Sequence, residues 1–196
     1  MPESGAAAEW TALPRSYLRA GTLDLGARLQ LFVSRLRDYD AHVVESDATS
    51  LPGAIADLLR ERGQKIVVAA GGFPAGMLPG GCCSFIPERD ADIDTLNHCD
   101  GIVTACTVGI ASTGTIVLTH GPGEGARRLT LLPDRHLCVV RADEVVETVP
   151  EAFDRLAGFA ARSLTFISGP SATADIEMTR IRGVHGPRFL DVVLVR

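Results

Sequence analysis

Four short apolar runs constrain this chain more than any other feature: Ile66 to Ala70, Gly101 to Ala105, Leu137 to Arg141 and Leu190 to Val195. Runs this short, with branched side chains on both parities, suit strands covered on both faces. Helical patterns alternate with them. Leu25, Leu29, Phe32, Val33 and Leu36 share one face at helical spacing, which predicts an amphipathic helix lying on a sheet. Ala41 to Glu45 then reads as a strand, and Ser50, with Pro52 in the first turn, predicts a capped helix buried through Ile55, Leu58 and Leu59 and stopped at Gly63. Thr148 and Glu151 have capping-box spacing around Pro150, so a further helix is expected through about Ala161, preceded by a helical start near Asp143.

The middle of the chain departs from this rhythm. Cys82 to Ile86 reads as an edge strand. Thr115 to His120, the turn Gly121 to Gly125 and Arg128 to Leu132 read as two strands joined by a hairpin loop, and Leu164 to Ile167 as a further strand. Alternating helices and apolar strands predict an α/β chain with an open, mostly parallel sheet covered on both faces and an antiparallel insertion. Residues 1–20 lack a steady period and are expected to form an arm ordered around Trp10 and Tyr17; residues 21–196 form a single domain.

Composition removes several function classes. With 46% apolar and 22% charged residues the 196-residue chain can bury a core, and a net charge of −5 without a basic block argues against nucleic acid as a partner. The longest apolar stretch, Ile66 to Met77, is broken by Gly71, Gly72 and Pro74 and falls short of the roughly 20 residues a membrane span needs. The start of the chain lacks the pattern of a secretory signal, so a cytoplasmic protein is expected. The five cysteines show no C-x-x-C spacing, and His98 beside Cys99 has no matching pair; buried thiols and no metal site are the reading.

Sites in open α/β sheets gather outside the carboxyl ends of the strands, and three segments qualify. Thr104 to Thr115 is dense in small residues and hydroxyls; Thr104, Gly109, Thr113, Gly114 and Thr115 either approach an anionic ligand or simply allow close packing. Ser168 to Asp175 follows a strand, and Ser168, Gly169, Ser171 and Thr173 read as an anion cradle, with Asp175 and Glu177 brought to the same edge. Hydroxyls that bind only their own backbone are the alternative. Gly183 to Pro187 holds His185 between Gly183 and Gly186, and a histidine there is a candidate acid, base or donor or a merely solvated ring. Glu177 and His185 are the catalytic candidates.

Taken in order, Gly101 to Ala105, Gly109 to Ala111, Thr113 to Thr115, Leu131 to Pro133 with His136, Ile167 to Ser171, Thr173 to Glu177 and Gly183 to Pro187 resemble the LUD domain family. The resemblance implies a three-layer α/β/α fold like that of ribose-5-phosphate isomerase, glucosamine-6-phosphate deaminase and CoA transferases. It implies an accessory role in oxidising L-lactate to pyruvate, beside two iron–sulfur proteins that carry the clusters, with no cofactor held by this chain itself. Longer family members carry a ferredoxin-like cysteine cluster, and this sequence shows none. Ser112 stands where relatives usually have an acidic residue and Cys106 where they often have a polar or acidic one, which puts independent catalysis by a carboxylate there in doubt. The alternatives are a stand-alone enzyme acting on a sugar phosphate, CoA ester or folate, and a ligand-binding regulatory module without catalysis.

Overall fold

Strands form where the apolar runs predict them, because each run has a hydrophobic layer on either side to bury against. The computed structural model describes residues 3–14, 16–173, 181–183 and 185–196. In chain order the elements are α1 (Glu3–Ala12), α2 (Leu25–Asp38), β1 (His42–Ser46), α3 (Leu51–Glu61), β2 (Ile66–Ala69), β3 (Ser84–Pro87), α4 (Ile93–His98), β4 (Gly101–Thr104), β5 (Val108–Ile110), β6 (Thr115–Leu118), β7 (Arg135–Arg141), β8 (Val145–Val146), α5 (Val149–Leu156), β9 (Thr165–Ile167), β10 (Ala172–Thr173), β11 (Ile181–Arg182) and β12 (Phe189–Val195).

Six strands make one parallel sheet in the order β1-β12-β7-β4-β2-β3. Side chains alternate across it. Val67, Val103, Leu137, Val139 and Val193 point to one face and pack against Leu51, Ile55, Leu58 and Leu59 of α3. Cys138, Val140, Val192 and Leu194 point to the other, where Leu29, Phe32, Val33 and Leu36 of α2 cover them. Val68 and Ile102 on that same face meet Leu96 of α4. The result is a three-layer α/β/α arrangement. Burying each large side chain of α2 contributes about 2 kcal/mol, so this stripe anchors the helix far more firmly than its intrinsic propensity does.

The insertion is a separate four-stranded sheet, β8-β5-β6-β9, in which β6 is antiparallel to both β5 and β9 while β5 and β8 are parallel. Ile116 and Leu118 on its inner side join the α2 core. On its outer side Val108, Ile110 and Val117 are covered by Ala152 and Leu156 of α5. The predicted capping box is present: the Thr148 side chain accepts from Glu151 N, and the Glu151 carboxylate accepts from Thr148 N at 2.8 Å.

Several local expectations need correction. Arg127–Thr130 is a 3-10 turn, so Arg128 to Leu132 is not a strand and Gly121 to Gly125 is not a hairpin loop. The chain leaves β6 and folds back because the Glu124 carboxylate turns inward, 4% exposed, onto Thr119 N at 2.6 Å and Gly121 N at 3.2 Å. Near Asp143 there is only the 3-10 turn Ala142–Glu144, and α5 ends at Leu156, followed by the 3-10 turn Ala157–Phe159. Ser50 does not cap α3 through its side chain; Asp47 accepts from the Thr49 hydroxyl and from the backbone N–H groups of Ser50 and Thr49, both at 2.8 Å, and the Thr49 hydroxyl first, then these donors, hold its carboxyl down to about 2. Trp10 and Tyr17, expected to order the N-terminal arm, are largely exposed.

Gly114 shows why the loop between β5 and β6 is built from small residues. It adopts φ 61°, and a Cβ there would stand 2.7 Å from the Arg35 backbone of α2. Gly114→Ala is expected to cost about 2 kcal/mol, from the left-handed conformation together with displacement of α2. A shift of the urea midpoint to lower concentration at unchanged slope would show it, and an unchanged midpoint would refute the close-packing role.

Candidate functional site

Antiparallel pairing of β9 with β6 places Ile167 opposite Ile116. One residue further on, Ser168 Oγ lies 2.8 Å from Thr115 Oγ1, which lies in turn 2.7 Å from Thr113 Oγ1. The chain then turns at Gly169, whose φ is 83° and whose added Cβ would stand 2.6 Å from the Tyr39 carbonyl oxygen, so only glycine fits. Ser171 follows. Its N–H donates to the Pro187 carbonyl at 2.8 Å, its own carbonyl accepts from Gly183 N at 2.9 Å, and its Oγ accepts from His185 N at 3.1 Å. Residues far apart in sequence thus lie side by side, joined further by the antiparallel pair β10 and β11.

These turns wall a cavity of about 360 Å³, into which Ser168, Gly169, Ser171, His185 and Gly186 face together with Arg127 and His136. His136 is 1% exposed, and its Nε2 lies 2.7 Å from Thr104 Oγ1. Burial pulls its pKa down to about 4, so the ring is neutral near pH 7 and acts as a dipole and not as a charge. Arg127 is exposed and forms no ion pair among the described residues. Because Ser171 Oγ already accepts from His185 N, its hydroxyl proton is directed away from that contact and is available to an acceptor. One guanidinium and two hydroxyl groups in a half-enclosed space suit a small anion.

The cavity's position departs from the expected one. His136 and Leu190 are register partners at the amino ends of β7 and β12, so it opens at the opposite edge of the parallel sheet from the carboxyl ends. The reason is topological: β9 belongs to the smaller sheet, and its end is carried to that edge by its pairing with β6.

The other candidates occupy different surroundings. Thr104 is fully buried behind His136. Gly109 lies under α2, where a Cβ would come within 2.9 Å of the Phe32 ring. Thr104, Gly109, Thr113, Gly114 and Thr115 do not line the cavity; Thr115 reaches it only through Ser168. Thr173 contributes backbone pairing to Ile181. Asp175 and Glu177 lie outside the described residues. The sequence reading missed Arg127, which precedes the strand it expected over Arg128 to Leu132, and assigned no role to His136; a lone polar residue at the head of an apolar strand is the signal that marks His136. His98 Nδ1 lies 2.8 Å from the Asp94 carbonyl oxygen, and no metal-holding group of His, Cys, Asp and Glu occurs among the described residues.

Known proteins share this sequence and fold. The family model of the LUD domain matches residues 86–195. Lactate utilization protein C of Deinococcus radiodurans is 43% identical over 169 residues, spanning 85% of this chain and 79% of that protein. Lactate utilization protein C of Bacillus subtilis is 33% identical over 99 residues, 47% of this chain and 41% of that one. Among solved structures, the crystal structure of a DUF162 family protein from Deinococcus radiodurans superposes with a TM-score of 0.77 at 36% identity, covering 89% of this chain and all of that one.

Proposed function

The chain belongs to the LUD domain family, and from that premise we propose that it serves lactate utilization as an accessory subunit that binds a small anion in the cavity walled by Ser168, Ser171 and His185. The similarity to lactate utilization protein C supports the physiological role. The observation that carries the binding role is the convergence of Ser168, Ser171, His185 and Arg127 on one cavity.

In this reading Arg127 supplies the charge, and the Ser168 and Ser171 hydroxyls supply directed donors. His136 forms an uncharged floor that does not demand a counter-ion of its own. The clamp of Ser171 between Gly183 and Pro187 holds its hydroxyl in place before the anion arrives, which lowers the ordering cost of binding. Two iron–sulfur proteins are the proposed partners, and they carry the electron transfer; this chain holds no cofactor of its own. No helix among the described residues is long and apolar enough to cross a membrane.

Titrating the protein with L-lactate, pyruvate and inorganic phosphate, followed by thermal shift, tests the binding role. An anion held here is expected to stabilise the native protein by about 2.7 kcal/mol at a hundred times its dissociation constant. Ser171→Ala and Arg127→Ala are each expected to weaken it by about tenfold, the loss of one charge-assisted hydrogen bond. Equal affinity in both variants would remove the site. Recovery of two iron–sulfur proteins on purification from native cells, with failure to grow on lactate after deletion, tests the assembly role separately.

A further inference from the structure

Cys82 and Cys83 meet in a way that their adjacency does not predict. Neighbouring side chains of a strand point to opposite faces, but the strand expected from Cys82 begins only at Ser84. Residues 80–83 form a bend instead, with Gly81 at φ 74°. The bend brings both thiols to one side, with the two Sγ atoms 3.6 Å apart and the Pro79 carbonyl oxygen 4.0 Å from the Cys82 sulfur. Both cysteines are half-buried, whereas Cys99, Cys106 and Cys138 are buried. Neither of the pair lines the anion cavity.

The separation of the sulfurs decides among their possible uses. A disulfide needs them about 2.05 Å apart and normally joins Cα atoms at least about 4.4 Å apart. Consecutive Cα atoms stand about 3.8 Å apart, so closure here is strained. An atom bonded to both sulfurs, about 2.3 Å from each as in metal–thiolate bonds, sees them at an angle of about 100°. That angle does not suit a linear two-coordinate ion such as silver(I), and it fits a tetrahedral or pyramidal centre. Tetrahedral zinc needs two further ligands, and no metal-holding group of three or more His, Cys, Asp and Glu occurs among the described residues. A pyramidal trivalent centre needs only the two sulfurs, because it carries its third substituent itself.

Charge points the same way. Burial, then the Cys82 thiol and the Asp100 carboxylate, push the Cys83 thiol up to about 12. The Asp100 carboxylate is held in place by Lys65 N at 2.7 Å and Ile66 N at 2.8 Å. Reactions that require a free thiolate, such as peroxide reduction, are therefore disfavoured at Cys83. Condensation that leaves both sulfurs uncharged is not.

We propose that Cys82 and Cys83 form a dithiol site for a hydroxide of trivalent arsenic or antimony, held by both sulfurs. In the reaction two S–H bonds and two bonds from the metalloid to hydroxide break, two metalloid–sulfur bonds form, and two water molecules leave with the thiol protons. No atom changes oxidation state.

Phenylarsine oxide, hydrated in water to its dihydroxide, serves as the probe on the full chain after reduction and removal of the reductant. Intact mass is expected to show one adduct per chain, released by a small dithiol and resistant to a monothiol. When the adduct is unfolded and treated with N-ethylmaleimide, peptide-resolved mass spectrometry is expected to find label on Cys99, Cys106 and Cys138 and none on Cys82 or Cys83. Cys82→Ser and Cys83→Ser, both with native circular dichroism, are each expected to weaken the probe by at least about a hundredfold, because the second bond then no longer forms within the chain. Cys106→Ser leaves it unchanged. A parent chain that takes up no arsenical, an adduct that maps to Cys106 or Cys138, or undiminished affinity in either single variant overturns the proposal. The mapping is made on the parent chain and stands even where a variant fails to fold. Binding of lactate, pyruvate or phosphate at Ser171 bears only on the amino-edge cavity.

Discussion

Glu124→Ala is expected to destabilise the native chain by about 4 kcal/mol, because the buried carboxylate gathers the donors of a turn. Its Oε2 accepts from Thr119 N at 2.6 Å, Thr119 Oγ1 at 3.1 Å and Gly121 N at 3.2 Å, while Oε1 accepts from the Thr107 hydroxyl. Removing it strands donors from two segments where water has little access, and the fold-back that seats Gly123 between Ala105 and Gly71 loses its fastening. Glu124→Gln keeps one acceptor oxygen and should lose roughly half as much. Urea unfolding of both variants measures the difference. A midpoint for Glu124→Ala within error of the parent would show that the loop is held by its backbone contacts alone.

The second large effect is a pH dependence centred on His136. Its folded-state pKa of about 4 lies below the 6.5 of an ordinary histidine, and the cause is burial. Above the unfolded value both states are neutral and the ring's contribution is fully present. As pH falls below that value the unfolded chain binds a proton that the folded chain refuses, so stability drops until the folded ring is protonated as well. Across this window the loss attributable to His136 is about 3 kcal/mol. Carboxylates also titrate there, so the relevant quantity is the difference between the parent and His136→Gln. The parent is expected to lose the additional stability between about pH 6.5 and about pH 4. Parallel stability profiles for the two proteins would show that His136 is protonated without penalty.

Much of the fold is legible in the residue pattern. The stripe of Leu29, Phe32, Val33 and Leu36 contacts the sheet as its spacing predicts, and Thr148 and Glu151 form the capping box their separation announces. Both signals are local, since one turn of helix relates residues three or four positions apart whatever surrounds them. The glycine-rich segment Gly121 to Gly125 was misread for the converse reason. A hairpin loop and a fold-back secured by a buried carboxylate look alike in one dimension, and Thr107, which receives Glu124, lies 17 residues away. The small residues of the 104–115 segment have the same ambiguity. Gly109 and Gly114 are explained by their closeness to Phe32 and Arg35, contacts that only the placement of α2 reveals.

From the amino-acid order alone come the alternation of helices and doubly covered strands, the capping box of Thr148 and Glu151, and the ordered motifs that mark the LUD domain family, because all of these are written in short-range spacing and residue type. Which motifs meet was decided in three dimensions. Ser168 and Thr115, 53 residues apart, are joined by the pairing of β9 with β6, and that pairing also carries the Ser171 turn to the amino edge of the main sheet. The carboxyl edge of that sheet holds a different cavity, lined by Leu51, Phe73, Met77 and Val139. Strand order and register are settled by how the two sheets bury their apolar faces against α2, a global packing solution that no single segment encodes.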